Sequence, residues 1–129
     1  MNPRAEGKVY PDVPFEVTPE RVAAFRRVFG LPNGVPPTFP TAAEFAVLPD
    51  IVADPELGLD FSRVVHGRQQ YTYLRPLMED EVLTVRARIE SIRTKGQSGF
   101  LVIAMQLLGS DGEVACEARS TMVERGGEP

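Results

Sequence analysis

The chain holds a single histidine, His66, and a single cysteine, Cys116, so acid-base and nucleophilic chemistry have few places to reside. His66 lies six residues beyond Asp60, and Asp and His together are the side chains that move protons near neutral pH. Two other carboxylates, Glu44 and Asp50, fall in an apolar stretch, where a carboxylate could activate water. Each also has a structural reading: Thr41-Ala42-Ala43-Glu44 fits a capping box, with Thr41 capping and Glu44 reaching back, and Asp50 beside Pro49 fits a helix restart or a solvent-facing turn. Cys116 sits in the alternation Val114, Cys116, Ala118, Ser120, which suits a small, inert core residue. One His and one Cys far apart give no metal-ligand spacing, and no metal or cofactor is expected.

These residues need elements to hold them. Val9 to Val17, broken by Pro11 and Pro14, reads as an extended arm or edge strand. Thr18 is a good N-cap, Pro19 fits the first helical position, and Val22, Ala23, Phe25, Val28 and Phe29 give a helix face that ends at Gly30. The prolines from Leu31 to Pro40 mark a rigid loop. A second, strongly apolar helix is expected from Thr41, enclosed by the rest of the fold and kinked or stopped at Pro49. From Gln69 the period becomes two, and four strands follow: Gln69 to Arg75, Val82 to Ile92, Gly99 to Leu108 and Val114 to Val123. Thr94-Lys95-Gly96-Gln97 and Ser110-Asp111-Gly112 have hairpin chemistry. The fold class is α+β, an antiparallel sheet wrapped around a central helix.

The 129 residues carry a net charge of −4, with 43% hydrophobic and 25% charged residues. One soluble domain over 1–129 is expected, with loose tails at about 1–7 and 126–129. Scattered basic residues exclude a nucleic-acid footprint, and no leader or membrane-spanning run is visible, so a cytoplasmic location without membrane partners is expected. Arg86 and Arg88 share a strand face. They are either solvated or placed to meet the phosphate of a pantetheine or coenzyme A ligand. Tyr71 and Tyr73 also share a face; packing is the simpler role, and a bond from Tyr71 to an acyl carbonyl the functional one.

Pro36-Pro37-Thr38-Phe39-Pro40, Leu57-Gly58-Leu59-Asp60, His66-Gly67-Arg68-Gln69 and the aromatic strand ending Arg75-Pro76-Leu77 together resemble the N-terminal, FAS1-like half of the MaoC-like dehydratases, over about Tyr10 to Val123. That resemblance implies a hot-dog fold and an acyl-thioester ligand carried on coenzyme A or acyl carrier protein. Catalytic relatives carry a Gly-Asp-x-Asn-Pro-x-His loop before the central helix; Gly30 to Pro37 stands there without Asp or His. Asp60 and His66 are weak substitutes, because they follow the helix, lie one residue further apart than the motif and lack its Asn-Pro. His66 is instead expected to end a loop, packed inward, and to orient Gln69 or a backbone carbonyl. The resemblance therefore implies a substrate-binding subunit, without a catalytic pair of its own, of a (3R)-hydroxyacyl-thioester dehydratase. It would work as a heterodimer with a catalytic MaoC-like chain or as a weakly active homodimer. The alternatives are a hot-dog acyl-CoA thioesterase using a helix carboxylate and an acyl-thioester-binding module without catalysis.

Overall fold

The computed structural model describes residues 1–30 and 34–126. Leu31 to Asn33, in the proline-rich loop, and Gly127 to Pro129, in the expected C-terminal tail, lie outside the described residues. Thr18 caps α1 (Pro19–Phe29), its hydroxyl accepting from the Arg21 N–H, and Gly30 ends the helix at φ 66°, a left-handed conformation that costs glycine little. Strand β1 (Val13–Glu16) is a sheet edge, as Pro14 within it favours.

The apolar segment after the loop differs from the single helix read from sequence. It forms two short helices, α2 (Pro40–Glu44) and α3 (Leu48–Val52). Between them the Ala46 and Val47 N–H groups reach back three residues, to Ala43 and Glu44, so the chain tightens before Pro49 starts α3. Helix α2 begins at Pro40 with no side-chain cap, and the capping box does not form. The enclosure is one-sided: Ala43, Glu44, Val47 and Ile51 are buried, while Phe45 stays 61% exposed.

Strands β2 (Val64–Tyr73), β3 (Val82–Lys95), β4 (Ser98–Leu108) and β5 (Val114–Glu124) join β1 in an antiparallel sheet of order β1-β3-β4-β5-β2. Alternate residues, among them Leu83, Val85, Ala87, Ile89, Leu101, Ile103, Met105 and Leu107, are buried beneath the helices, and the others form an open outer face. This is the hot-dog arrangement. Strand β2 starts at Val64, earlier than expected, so His66 is a strand residue rather than the end of a loop. A bulge follows at His66/Arg68, where the register with β5 shifts. Gly67 allows it: a Cβ there would lie 3.3 Å from Val123 Cγ2.

The N-terminal stretch is not loose. The Asn2 N–H bonds the Leu57 carbonyl at 2.8 Å, Ala5 is buried, and the Gly7 N–H bonds the Ile89 carbonyl at 2.8 Å. Backbone pairing to two distant segments gives it an order that its weak apolar pattern did not reveal.

Candidate functional site

The polar residues that converge are Glu44, read from sequence as a capping residue, the binding candidate Tyr71, and Gln69 and Ser120, to which the sequence assigned no site role. Glu44, on the last turn of α2, is 5% exposed and faces the inner side of β2 and β5. Gln69 Nε2 donates to its Oε1 and Oε2 at 3.1 and 3.3 Å, and the Tyr71 hydroxyl donates to Oε1 at 3.1 Å. Ser120 Oγ lies 3.5 Å from Oε2, in close contact with the Gln69 side-chain oxygen, and 3.3 Å from His66 Nε2. Tyr71 is also in contact with Thr41 Oγ1.

Strand register explains the gathering. Gln69 stands opposite Ser120 and His66 opposite Met122 across β2 and β5, while Gln69 and Tyr71 share a face by alternation. Sequence offered two signals for Glu44: a charge embedded in an apolar run, and Pro40, whose preference for the first helical position starts the helix too early for Thr41 to cap. Neither signal says which strand residues meet the carboxylate.

Burial pushes the Glu44 carboxyl above its ordinary range; hydrogen bonds from Tyr71 and Gln69 pull the other way and do not cancel it. Burial likewise raises Tyr71, and pushes Tyr73 up to about 12. The Tyr73 hydroxyl donates to the Pro37 carbonyl at 2.6 Å, tying β2 to the segment before α2. A cavity of about 70 Å³ opens beside the cluster, with Phe45, Leu48, Ile103, Met105 and Met122 as its apolar wall. An apolar chamber with a few converging polar groups is the usual form of a small-ligand site.

His66 stays beside the cluster, 3.3 Å from Ser120 Oγ at the edge of the chamber, while the other sequence candidates go elsewhere. His66 is exposed rather than packed inward, although its Nε2 does meet a backbone carbonyl, that of Arg68, at 3.0 Å. The inward pull expected from Val64 and Val65 fails because β2 is an edge strand, and Val65 itself is 43% exposed. Asp60 caps the short helical turn Phe61–Arg63, accepting from the Ser62 N–H and hydroxyl, which hold its carboxyl below the usual range, and it pairs with Arg63. It thus forms no pair with His66. Arg86 and Arg88 lie on the outer face, across the sheet from Tyr71, so the three proposed binding residues do not share a site. Arg86 grips Asp12 through two bonds of 3.1 and 3.0 Å, and Arg88 pairs with Glu90. Asp50 is exposed in the first turn of α3, and burial raises the Cys116 thiol to about 11, which suits an inert core residue.

Residues 10–118 match the FAS1-like, dehydratase domain region. The chain belongs to this family. It is 32% identical to the UPF0336 protein Lxx02810 of Leifsonia xyli over 99% of this chain and 98% of that protein, and 34% identical to a UPF0336 protein of Streptomyces avermitilis over 95% and 93%. The truncated HadBC (3R-hydroxyacyl-ACP dehydratase) complex of Mycobacterium tuberculosis shares its fold, with a TM-score of 0.80 at 20% identity over 92% of this chain and 96% of that one. HtdX of the same organism superimposes with a TM-score of 0.74 at 26% identity, covering 89% of this chain and 51% of HtdX. Among the described residues, no helix is long and apolar enough to cross a membrane and no cluster of three metal-ligating side chains occurs.

Proposed function

We propose that this FAS1-like dehydratase domain is the acyl-binding, non-catalytic subunit of a (3R)-hydroxyacyl-thioester dehydratase. The observation carrying this reading is the state of its one pocket carboxylate. Glu44 accepts from Gln69 and Tyr71 and lies beside Ser120, so its lone pairs are largely engaged and it is held as part of the chamber wall. Dehydration of a 3-hydroxyacyl thioester requires a base for the C2 proton and an acid for the departing C3 hydroxyl, both free to face one small site. Asp60 does not supply that pair, and the segment Gly30 to Pro37 contains neither Asp nor His. The acid and base would come from a partner chain beside β2. That edge strand carries unpaired backbone and, with Phe45, Val65, Tyr73 and Leu74, exposed apolar side chains that suit a covering subunit.

The test is turnover of a crotonyl-type thioester. The isolated chain is expected to hydrate it poorly, and mixing with a catalytic MaoC-like partner to raise the rate while sedimentation shows the larger species. Robust hydration by the isolated chain, abolished by His66→Ala, overturns the reading.

One observation favours a second reading. Glu44 is a helix carboxylate in a partly apolar pocket with its pKa raised, the environment of a general base. A thioesterase would take a proton from water onto Glu44 as the water attacks the thioester carbonyl, and return it to the departing thiolate. Thiol release by the isolated chain, lost in Glu44→Gln, would select this reading over the first.

A further inference from the structure

The outer face of the sheet divides into two zones of different charge balance. Around Arg86, Arg88 and Arg119, each guanidinium has an acidic partner: Asp12 for the first and Glu90 for the other two. Toward the β3–β4 hairpin the pattern changes. Arg93, Phe100, Val123 and Val65 form one cross-strand row through the registers of β3, β4, β5 and β2. A groove of about 620 Å³ runs here over Phe100 and Val102, with Arg93 and Lys95 on its rim. Both cations are exposed, and neither has an acidic partner among the described residues. In a chain of net charge −4, an apolar floor rimmed by uncompensated cations is a local reversal of the overall field.

We infer that this groove at the β3–β4 end is the docking surface for an acidic acyl carrier protein. The inference rests on the acyl-thioester reading above and deepens it by naming the carrier. Charge complementarity selects an acidic partner here and disfavours it over the acidic remainder of the chain. Position supplies the second argument. Arg68 stands opposite Thr121, which lines the groove, and the Arg68 carbonyl is bonded by His66, which lines the acyl chamber on the other face. Groove and chamber thus lie on opposite faces of the sheet, both near the His66/Arg68 bulge of the edge strand β2.

The experiment measures binding of a carrier protein that bears phosphopantetheine but no acyl group, so that the chamber adds nothing to the signal. Arg93→Glu with Lys95→Glu is expected to weaken binding by about tenfold or more, and added salt to weaken the unmutated chain likewise. Arg86→Glu, in the compensated zone, is the control and should bind nearly as the parent does. If the double reversal melts early, Arg93→Gln with Lys95→Gln gives the same reading with a smaller loss. Unchanged carrier affinity in these variants, or an equal loss in Arg86→Glu, overturns the proposal. So does binding to anionic lipid vesicles by a chain that ignores the carrier protein. Affinity of the chain for an acyl-CoA tests the chamber separately: it fails alone if the acyl-binding reading is wrong, and survives if the docking surface is wrong.

Discussion

On the helix-covered side of β2 and β5, Gln69, Tyr71 and Ser120 gather round one buried carboxylate; on the outer side, Arg86, Arg88 and Arg119 meet Asp12 and Glu90 in solvent. The outer face contains more formal charge, yet the inner cluster has the greater energetic leverage. Water screens and replaces any partner lost outside, whereas a donor left unpaired inside has nothing to turn to. The number of ion pairs on a face therefore says little about what each of its residues is worth.

Removing the inner acceptor should give the largest effect. Glu44→Leu removes the acceptor of the Gln69 amide and one partner of the Tyr71 hydroxyl, which keeps its contact with Thr41 Oγ1, and is expected to cost about 2 kcal/mol in urea unfolding. A loss no greater than that of a surface change would mean that water reaches the cluster. Tyr71→Phe, which deletes one donor and keeps the ring, should cost about 1 kcal/mol in the same measurement. His66→Gln sharpens the boundary between the faces: an exposed strand residue should change stability by less than about 0.5 kcal/mol. If acyl-thioester affinity falls while that stability holds, His66, at the edge of the chamber, contacts the ligand.

Acidity separates the faces in sign. The folded state raises the Glu44 pKa, so it binds that proton more tightly than the unfolded chain does. This contribution to stability is present below the ordinary carboxylate value near 4.5 and is lost as pH rises through the raised one. Asp12 runs the other way: Arg86 lowers its pKa, and its contribution fades as the solution is acidified. Comparing melting temperatures of the parent chain and Glu44→Gln across this window should show the parent gaining relative to the variant on acidification, since the other carboxylates titrate alike in both. The smallest effect is expected from Arg86→Ala, whose midpoint at neutral pH should be indistinguishable from the parent's in physiological salt.

Local chemistry made much of the fold legible. Thr18, Pro19 and Gly30 bracket α1, Pro14 favours an edge position for β1, and the two-residue period of β3, β4 and β5 sorts Leu83, Ile103 and Met105 to the core, because each of these rules acts over a few neighbouring bonds. The same reading fixed the absence of Asp and His from Gly30 to Pro37, a fact of composition that no folding can alter. Tertiary structure decided the rest. Glu44 changed from a presumed capping residue to the centre of a buried cluster, and His66 from an inward-packed loop residue to an exposed strand residue. Periodicity assigns a face to each strand residue but says nothing of which residue crosses over to meet it. The pairing of Gln69 with Ser120, and of both with a carboxylate 25 and 76 residues away, follows from strand order and register, which involve the whole chain at once.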